Sequence, residues 1–237
     1  MVSFTTCRLL EIDHFIPMSL RNRIVRFPHL FGLRVMRLDN CPLGTAPKLY
    51  QDVRQCLKKF DIDRTAVLDV GAHRGEVTQD LLATFPSVRV HAFEPSPSMF
   101  NLLRRRFLGN TRVRCHQLAI SSSSGELLFE PRPEEPGLAR LTEQRSPSTI
   151  VVNSTTLDEF ITSQSIEIVP LLKTDTEGNE TQVLLGAVNA LKNGRIFSVL
   201  VECAPGEGSF RHQSLASIQA LLYPLGFEVV GPNGATV

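Results

Sequence analysis

Two short apolar runs that end in acid and glycine stand out along this chain. The first is VLDV at residues 67–70, where Asp69 lies near the end and Gly71 follows. The second is LLKT at residues 171–174, which is followed by Asp175. Continuous apolar runs of this length are typical of buried strands in a parallel sheet. In an open α/β sheet, ligands bind outside the carboxyl ends of the strands, so the pattern predicts two strand ends that face a common ligand.

Strand-like and helical stretches alternate over most of the chain, which predicts an α/β fold with a doubly wound, mostly parallel sheet and helices on both faces. Helical spacing of apolar residues follows Gly75 and stops at Pro86. Asn179, with Gln182 three positions later, has the pattern of an N-cap with a capping box, and Gly194 ends that helix. The predicted strands are residues 67–70, 88–93, 113–120, 169–174, 196–202 and 227–230, and further helices cover residues 46–60 and begin near Ser214.

The glycines and acids after the first strand indicate the type of ligand. The pattern D-x-G-x-x-x-G, from Asp69 to Gly75, lacks the middle glycine of the G-x-G-x-x-G that cradles a pyrophosphate in dinucleotide folds. An acid at the strand tip would repel a pyrophosphate, yet it suits an ammonium or sulfonium group, either directly or through water. Glu94, about 25 residues further on, is placed to accept hydrogen bonds from both hydroxyls of a ribose. These features favour S-adenosylmethionine (SAM) over NAD.

Three segments together resemble the FkbM family of SAM-dependent methyltransferases. They are DVGAHRGE from Asp69, FEPSPSMFNLL from Phe93 and LLKTDTEGNETQVLLGA from Leu171. The resemblance covers roughly residues 61–231, in the order expected of the family fold. It implies a Rossmann-like class I methyltransferase fold and, for most members, O-methylation of sugars, polyketides and other small molecules. The implied partner is therefore a small-molecule or glycan hydroxyl acceptor.

The resemblance also implies which residues bind the cofactor. Asp69, Gly71 and Gly75 would line the methionine side of SAM, Glu94 would hold its ribose, and residues 117–119 would border the adenine. The complete cofactor-binding set that we predict is Asp69, Gly71, Ala72, His73, Gly75, Glu94, Pro95, Gln117, Leu118, Ala119 and Asp175.

The second apolar run carries the groups predicted to act on the acceptor. By resemblance, Asp175 and Glu177 face the transferred methyl group. A hydroxyl acceptor needs a base that takes its proton as the new bond forms. We predict Asp175, Glu177 and His212 as catalytic residues, with Glu202 as a further candidate base. The two neighbouring carboxylates leave two alternatives open, namely ligands of a divalent cation or acids that stabilise a helix dipole. Methyl transfer does not require a metal, so we predict none.

The domain organisation has two predicted parts. Residues 1–60 are rich in arginine and predict an N-terminal helical cap, whose arginines either form a solvated face or contact an anionic substrate or membrane surface. Residues 61–237 form the predicted methyltransferase domain. Within it, prolines, glycines and serines interrupt residues 121–148 except for one strand at 126–130. This irregular insertion is either a lid over the substrate or a surface excursion.

Composition limits the classes of function. The 237 residues, of which 42% are hydrophobic and 21% charged, suit a single soluble enzyme domain. A net charge of +1 argues against binding to nucleic acid. The five cysteines form no C-x-x-C pair, which indicates neither a disulfide framework nor a zinc site. No apolar run in the sequence approaches the roughly 18 residues of a membrane span. We therefore expect a cytoplasmic protein without stable membrane insertion.

Two other functions are open at this point. A nicotinamide oxidoreductase would share the α/β fold, although the glycine spacing disfavours it. A SAM-binding module without turnover would keep Asp69 and Glu94 and lose its bases. The four candidate bases count against such a module.

Overall fold

The computed structural model describes residues 34–35, 65–85, 87–203 and 213–227 of the chain. In chain order, the strands are β1 (Arg34–Val35), β2 (Ala66–Val70), β3 (Arg89–Phe93), β4 (Val113–His116), β5 (Ala119–Ile120), β6 (Gly125–Glu130), β7 (Arg140–Leu141), β8 (Ile150–Thr155), β9 (Leu172–Thr174) and β10 (Val199–Val201). The α-helices are α1 (Glu76–Thr84), α2 (Pro97–Arg106), α3 (Leu157–Ser163), α4 (Glu180–Leu185), α5 (Val188–Lys192) and α6 (Leu215–Leu222).

The main sheet has six parallel strands in the order β4-β3-β2-β9-β10-β1. Side chains alternate between its faces along β2. Val67 packs with apolar residues of α1 and α2, whereas Leu68 and Val70 pack with those of α4, α5 and α6. Helices therefore cover both faces, which confirms the predicted doubly wound α/β fold. The strand order reverses between β2 and β9, and the site described below lies there.

The segment between β4 and β9 forms a second sheet of four strands in the order β5-β8-β6-β7. The prediction of one strand over residues 113–120 is wrong, because β4 ends at His116 and β5 pairs with β8. Residues 121–148 are more regular than predicted, since β6 pairs along its length with β8, outside that segment, and on its other side with β7. A small apolar core holds the second sheet together, made of Ala119, Phe129 and Val152.

The single helix predicted between Asn179 and Gly194 is in fact two helices, α4 and α5. The carboxylate of Asp158 in α3 starts the second one, because it accepts hydrogen bonds at 3.0 and 2.8 Å from two N–H groups in the first turn of α5. The backbone between the helices lies against the second sheet at Gly186. A Cβ at Gly186 would lie 2.1 Å from the carbonyl oxygen of Ser121, so only glycine fits this contact.

The capping box predicted at α4 is also wrong. The Asn179 amide does not cap the helix and instead donates a hydrogen bond of 2.9 Å to the carbonyl oxygen of Ile120. The fully buried Glu180 instead stabilises the turn between β9 and α4. Its Oε1 accepts hydrogen bonds from the N–H and hydroxyl of Thr176 and from the N–H of Gly178. Glu180 thereby fixes the turn that follows β9.

Several predictions lie outside the described residues. These are the helix over residues 46–60, the strand over 227–230 beyond Phe227, and most of the helical cap at 1–60. Of that cap only β1 is described, and it is a strand that pairs with β10. Among the helices that can be described, none is long and apolar enough to cross a membrane.

A histidine pair packs between β3, β4 and α3. His91 Nδ1 and His116 Nε2 are 3.0 Å apart, the two rings are stacked, and Phe160 meets both edge-on. Burial, with the charges of His116, Arg114 and Arg89, lowers the pKa of His91 to about 3. Burial and the charge of Arg114 lower the pKa of His116 to about 4. Both rings are therefore neutral in the folded protein at neutral pH.

We expect the histidine pair to make the fold sensitive to acid. Because the folded pKa values lie below that of a free histidine, the unfolded chain binds more protons as the pH falls below about 6.5. Protonation of His91 in the unfolded chain should by itself lower the free energy of unfolding by about 2 kcal/mol between pH 6.5 and pH 4.5. Urea unfolding across this range measures the loss. The His91→Gln variant should be less stable at pH 7.5 yet show a shallower dependence on pH, and identical slopes would contradict the assignment.

Candidate functional site

A cavity of about 280 Å³ opens at the carboxyl ends of β2, β3, β9 and β10. Val70, Glu94, Asp175 and Glu202 line it from these four strand ends. The strand order of the main sheet reverses between β2 and β9, which is where open α/β sheets bind ligands. The second sheet contributes a further wall through β6, β7 and the turn at Pro136–Leu138.

Glu94 lies at the end of β3 with its carboxylate held by the backbone. Its Oε2 accepts a hydrogen bond of 2.9 Å from the N–H of His73, and its Oε1 accepts one of 2.8 Å from the N–H of Ser96. The residue is only 6% exposed, yet it lines the cavity. Burial raises the pKa of Glu94 to about 7, although the two hydrogen bonds oppose the shift. Glu94 is thus a fixed acceptor that gains or loses its charge near neutral pH.

The turn after β2 brings Gly71 and His73 to the cavity. Gly71 has a φ of +74°, and a Cβ there would lie 1.8 Å from the carbonyl oxygen of Asp175. The glycine therefore permits close approach of two strand ends. His73 also has a positive φ, 52°, and its buried Nε2 has no hydrogen-bond partner among the described residues. Burial, followed by the charge of Arg74, lowers the pKa of His73, so its ring is neutral at pH 7 and can bind a ligand as donor or acceptor.

Lys173 is a buried cation that joins the two strand ends. Its Nζ donates hydrogen bonds to the carbonyl oxygens of Gly71 (2.8 Å) and Val70 (3.3 Å). It also forms ion pairs with Asp69 Oδ1 at 3.2 Å and with Asp175 Oδ2 at 3.5 Å. Burial alone would lower the pKa of Lys173, but the carboxylates of Asp69 and Asp175 outweigh burial and raise it. The ammonium group is therefore permanently charged and ties β2 to β9 beneath the cavity.

Asp69 is not among the residues that line the cavity. Its carboxylate is fully buried between Lys173 and α1, where Oδ2 accepts a hydrogen bond of 2.5 Å from the hydroxyl of Thr78. Its predicted role toward the cofactor, directly or through water, stays a prediction. Asp69 acts on the site through Lys173, whose charge it balances.

Three carboxylates, which we call the acid cluster, meet at the ends of β9 and β10: Asp175, Glu177 and Glu202. One oxygen from each lies within 4.8 Å of the others. Burial, a hydrogen bond with Asp175 and the charges of Asp175 and Glu177 together raise the pKa of Glu202 to about 9. Glu202 therefore holds its proton to higher pH than a free glutamate does and shares a hydrogen bond with Asp175, whose carboxylate is paired with Lys173. Oxygen atoms in this arrangement also suit a divalent cation.

The wall from the second sheet is mainly apolar and includes one charged residue, Arg140 of β7. Phe129, Ala139 and Leu141 line the cavity beside it. Arg140 Nε lies 3.4 Å from Glu130 Oε2, and Arg132 Nη2 lies 3.4 Å from the same oxygen. Only Arg140 of these three charged residues is among the cavity-lining residues described.

The structure brings most of the predicted site residues together. Those that line the cavity are Gly71, His73, Glu94, Pro95, Leu118, Ala119, Asp175 and Glu177. Besides Asp69, three residues predicted to bind the cofactor are placed elsewhere. Ala72 is buried in the core between β2 and α1, Gly75 packs against Phe107 and Leu103 of the α2 region, and Gln117 is exposed to solvent. His212, a predicted catalytic residue, lies outside the described residues.

Two site residues were missed by the sequence analysis. Lys173 had a signal, because a charged side chain inside the apolar run LLKT must find a partner when the strand is buried. Arg140 had none, since its place on the cavity depends on the pairing of β7 with β6.

Comparison with known proteins indicates the family of the chain. A family model described as the methyltransferase FkbM domain matches residues 69–229. The hexuronic acid methyltransferase AglP of Haloferax volcanii is 31% identical over 160 residues, covering 66% of this chain and 63% of that protein. The 2-O-methyltransferase NoeI of Sinorhizobium fredii is 24% identical over 164 residues, covering 62% of this chain and 66% of that protein.

A third relative is matched over more of its length. The 31-O-demethyl-FK506 methyltransferase FkbM of Streptomyces tacrolimicus is 28% identical over 227 residues, which cover 79% of this chain and 84% of that protein. The chain thus spans less than two thirds of AglP and NoeI, and a larger share of this third relative. Because the family model covers more than half of the sequence, the chain belongs to the FkbM methyltransferase family.

Proposed function

We propose that this chain is a SAM-dependent methyltransferase that transfers a methyl group to a hydroxyl of a sugar or another small molecule. The observation that carries the proposal is one cavity lined both by the buried acceptor Glu94 and by the acid cluster, in which Asp175 can take a proton. Membership of the FkbM family supports methyl transfer, and a relative named as a 2-O-methyltransferase supports oxygen as the acceptor atom.

The residues on the cavity fit SAM through the chemistry of their atoms. Each oxygen of Glu94 accepts one backbone hydrogen bond and keeps a lone pair for a ribose hydroxyl. His73 Nε2 offers a further hydrogen-bonding atom, and Leu118 and Ala119 offer an apolar surface to a base. The acid cluster suits a ligand with a positive charge. When bound, SAM supplies a methyl group that its sulfonium charge activates for displacement.

The chain itself has to hold the acceptor hydroxyl and take its proton. We assign that proton to the carboxylate of Asp175, because it lines the cavity and its ion pair with Lys173 favours the unprotonated form that a base needs. Glu177 is the second candidate for this role. The second sheet covers the cavity from the other side and helps to exclude water, which strengthens each of these interactions. Of the two alternatives for residues 121–148, a lid over the substrate or a surface excursion, we propose the lid.

The test of cofactor binding uses Glu94. We expect Glu94→Ala to weaken binding of S-adenosylhomocysteine (SAH), the product form of the cofactor, by about 1.5–3 kcal/mol, because hydrogen bonds to a charged group are lost. Isothermal titration should also show that removal of the ribose 2′-hydroxyl from SAH weakens binding to the wild type and has little effect on Glu94→Ala. The control is Glu126→Ala, at an exposed glutamate on β6.

A Glu94→Gln variant keeps one oxygen that can accept a backbone hydrogen bond. It therefore shows whether weaker binding by Glu94→Ala comes from the lost carboxylate or from a folding defect of that variant. In the wild type, SAH affinity should fall as the pH drops from 8 to 6, because Glu94 with a pKa of about 7 becomes protonated. An unchanged affinity in both Glu94 variants would overturn the ribose assignment, and failure of the wild type to bind SAH would overturn the proposed function.

A nicotinamide oxidoreductase finds no support among the relatives, all three of which are named methyltransferases. Transfer of a methyl group by the purified protein would exclude a SAM-binding module without turnover. A cytoplasmic location is our proposal from the cysteine pattern.

A further inference from the structure

The turn between β9 and α4 carries two of the three carboxylates of the acid cluster. Asp175 is its first residue and Glu177 its third, and both line the cavity. Glu177 has a φ of +53° and the following Gly178 one of +103°, so two successive residues adopt the left-handed region. A glutamate rarely adopts this conformation, because its Cβ crowds the neighbouring carbonyl oxygen. Other groups must therefore hold the turn that places Glu177 at the cavity.

The side chain of Glu180 contacts this turn from its buried side. Its Oε1 accepts hydrogen bonds of 2.7 Å from the N–H of Thr176 and 3.2 Å from the N–H of Gly178. These are the residues directly before and after Glu177. The hydroxyl of Thr176 donates a third hydrogen bond, of 3.0 Å, to the same oxygen. One carboxylate oxygen thus holds the backbone on both sides of Glu177.

The peptide group between Asp175 and Thr176 is fixed at both of its ends. Its N–H donates to Glu180, and its carbonyl oxygen lies so close to Gly71 that a Cβ there would be 1.8 Å away. The N–H of Asp175 also donates a hydrogen bond of 3.2 Å to the carbonyl oxygen of Val70 in β2. Because a peptide group is planar, its N–H and carbonyl oxygen move together. Glu180 therefore also restrains the backbone of Asp175.

The described hydrogen bonds of the Glu180 side chain to other residues all go to this turn. Its second oxygen, Oε2, is buried and has no hydrogen-bond partner among the described residues. Glu180 is also not among the residues that line the cavity. Burial of a carboxylate is costly unless hydrogen bonds compensate it, and here the compensating bonds come from the backbone that carries the acid cluster.

We infer that Glu180 is a positioning residue for methyl transfer, which holds Asp175 and Glu177 at the cavity without itself contacting a ligand. This inference rests on the proposed function, in which these two carboxylates serve the acceptor. The cofactor side is held separately, since Glu94 is fixed by other backbone groups. Loss of the Glu180 side chain should therefore impair removal of the acceptor proton and leave cofactor binding intact.

The experiment compares Glu180→Ala with Glu180→Gln and Asp158→Ala in the full chain. Glutamine keeps an oxygen that can accept the hydrogen bonds of the turn. Asp158 is the matched control, because it also accepts hydrogen bonds from two N–H groups and one side chain, at the start of α5, but does not line the cavity. We expect both alanine variants to be less stable than the wild type in urea, so stability alone does not distinguish them.

The first distinguishing measurement is an NMR titration of ¹³C-labelled glutamate carboxyl groups, which follows Glu202. Burial and the neighbouring Asp175 and Glu177 raise the pKa of Glu202 to about 9. We expect Glu180→Ala to lower this pKa toward that of a free glutamate, because the neighbouring carboxylates are no longer held beside it. Asp158→Ala should leave the pKa unchanged, and Glu180→Gln should restore most of the wild-type value.

The second measurement is the initial rate of labelled methyl transfer from SAM into one pooled extract of glycans and metabolites, used at one concentration throughout. A reacting group displaced by about 1 Å can cost on the order of 10²-fold in rate, so we expect Glu180→Ala to be roughly 10- to 100-fold slower. Its affinity for SAH should stay at the wild-type value. Asp158→Ala should keep the wild-type rate, and Glu180→Gln should regain most of it.

An unchanged pKa of Glu202 or an unchanged rate in Glu180→Ala would overturn the inference, as would equal effects in Asp158→Ala. Weaker SAH binding by Glu180→Ala would also overturn it, because Glu180 would then support the whole cavity. If Glu180→Ala does not fold, Glu180→Asp replaces it, since its carboxylate is one methylene too short to reach all three donors. A wild type that neither binds SAH nor transfers a methyl group would reject the proposed function, whereas the titration of Glu202 would still test the inference.

Discussion

Replacement of Lys173 by methionine is expected to lower the free energy of unfolding by about 3–5 kcal/mol, the range typical for removal of one partner from a buried ion pair. The side chain is 1% exposed, and its ammonium group compensates the fully buried carboxylate of Asp69. Methionine has a similar length, so packing is largely preserved and the loss reports the charge. Asp69 would then be left as an uncompensated charge. Urea unfolding at pH 7.5 measures the difference.

A double variant separates the charge from packing. Adding Asp69→Asn to Lys173→Met removes the uncompensated carboxylate while the asparagine oxygen can still accept the hydrogen bond of Thr78. We expect the pair of changes to recover at least half of the lost stability, which a packing defect would not allow. A loss below about 1 kcal/mol in Lys173→Met would place Lys173 outside the buried network and contradict its described contacts.

The sequence allowed prediction of the main sheet because its signals are local. Buried parallel strands need continuous apolar runs, and Gly71 and Gly75 mark the turn that follows β2. The shared position of Glu94, Asp175 and Glu177 on one cavity could be predicted for the same reason, since residues at the carboxyl ends of parallel strands share an edge. The apolar pattern also revealed the helices, although it could not show that Asp158 would start α5 as a separate helix.

The second sheet was mostly missed because its pairing is non-local. β6 pairs with β8, although β7 lies between them in the sequence. β5 has only two residues, which is too short for a clear alternating pattern. The ion pair of Asp69 with Lys173 was missed for a related reason. An acid after a strand is equally compatible with ligand binding and with a buried partner, and only the fold brings Lys173 to 3.2 Å from it.

Replacement of Asp175 by asparagine is expected to reduce kcat by roughly 10²–10⁴-fold, the usual contribution of a general base, while SAH affinity changes little. Asparagine keeps the size of the side chain and an oxygen that can accept the hydrogen bond of Glu202, so the effect isolates the loss of a proton acceptor. Transfer of labelled methyl groups from SAM to the acceptor, at saturating concentrations of both, measures kcat.

Glu202→Gln is the matched control for Asp175→Asn within the acid cluster. Glu202 has a pKa raised to about 9 by burial and by its neighbours Asp175 and Glu177, so it is protonated at pH 7, and a glutamine reproduces the donor that it offers to Asp175. We therefore expect Glu202→Gln to retain most of the activity at pH 7 and to lose any change in rate near pH 9. If Glu177→Gln abolishes turnover while Asp175→Asn does not, the base is Glu177. Equal losses in Asp175→Asn and Glu202→Gln would contradict the proton distribution on which the mechanism depends.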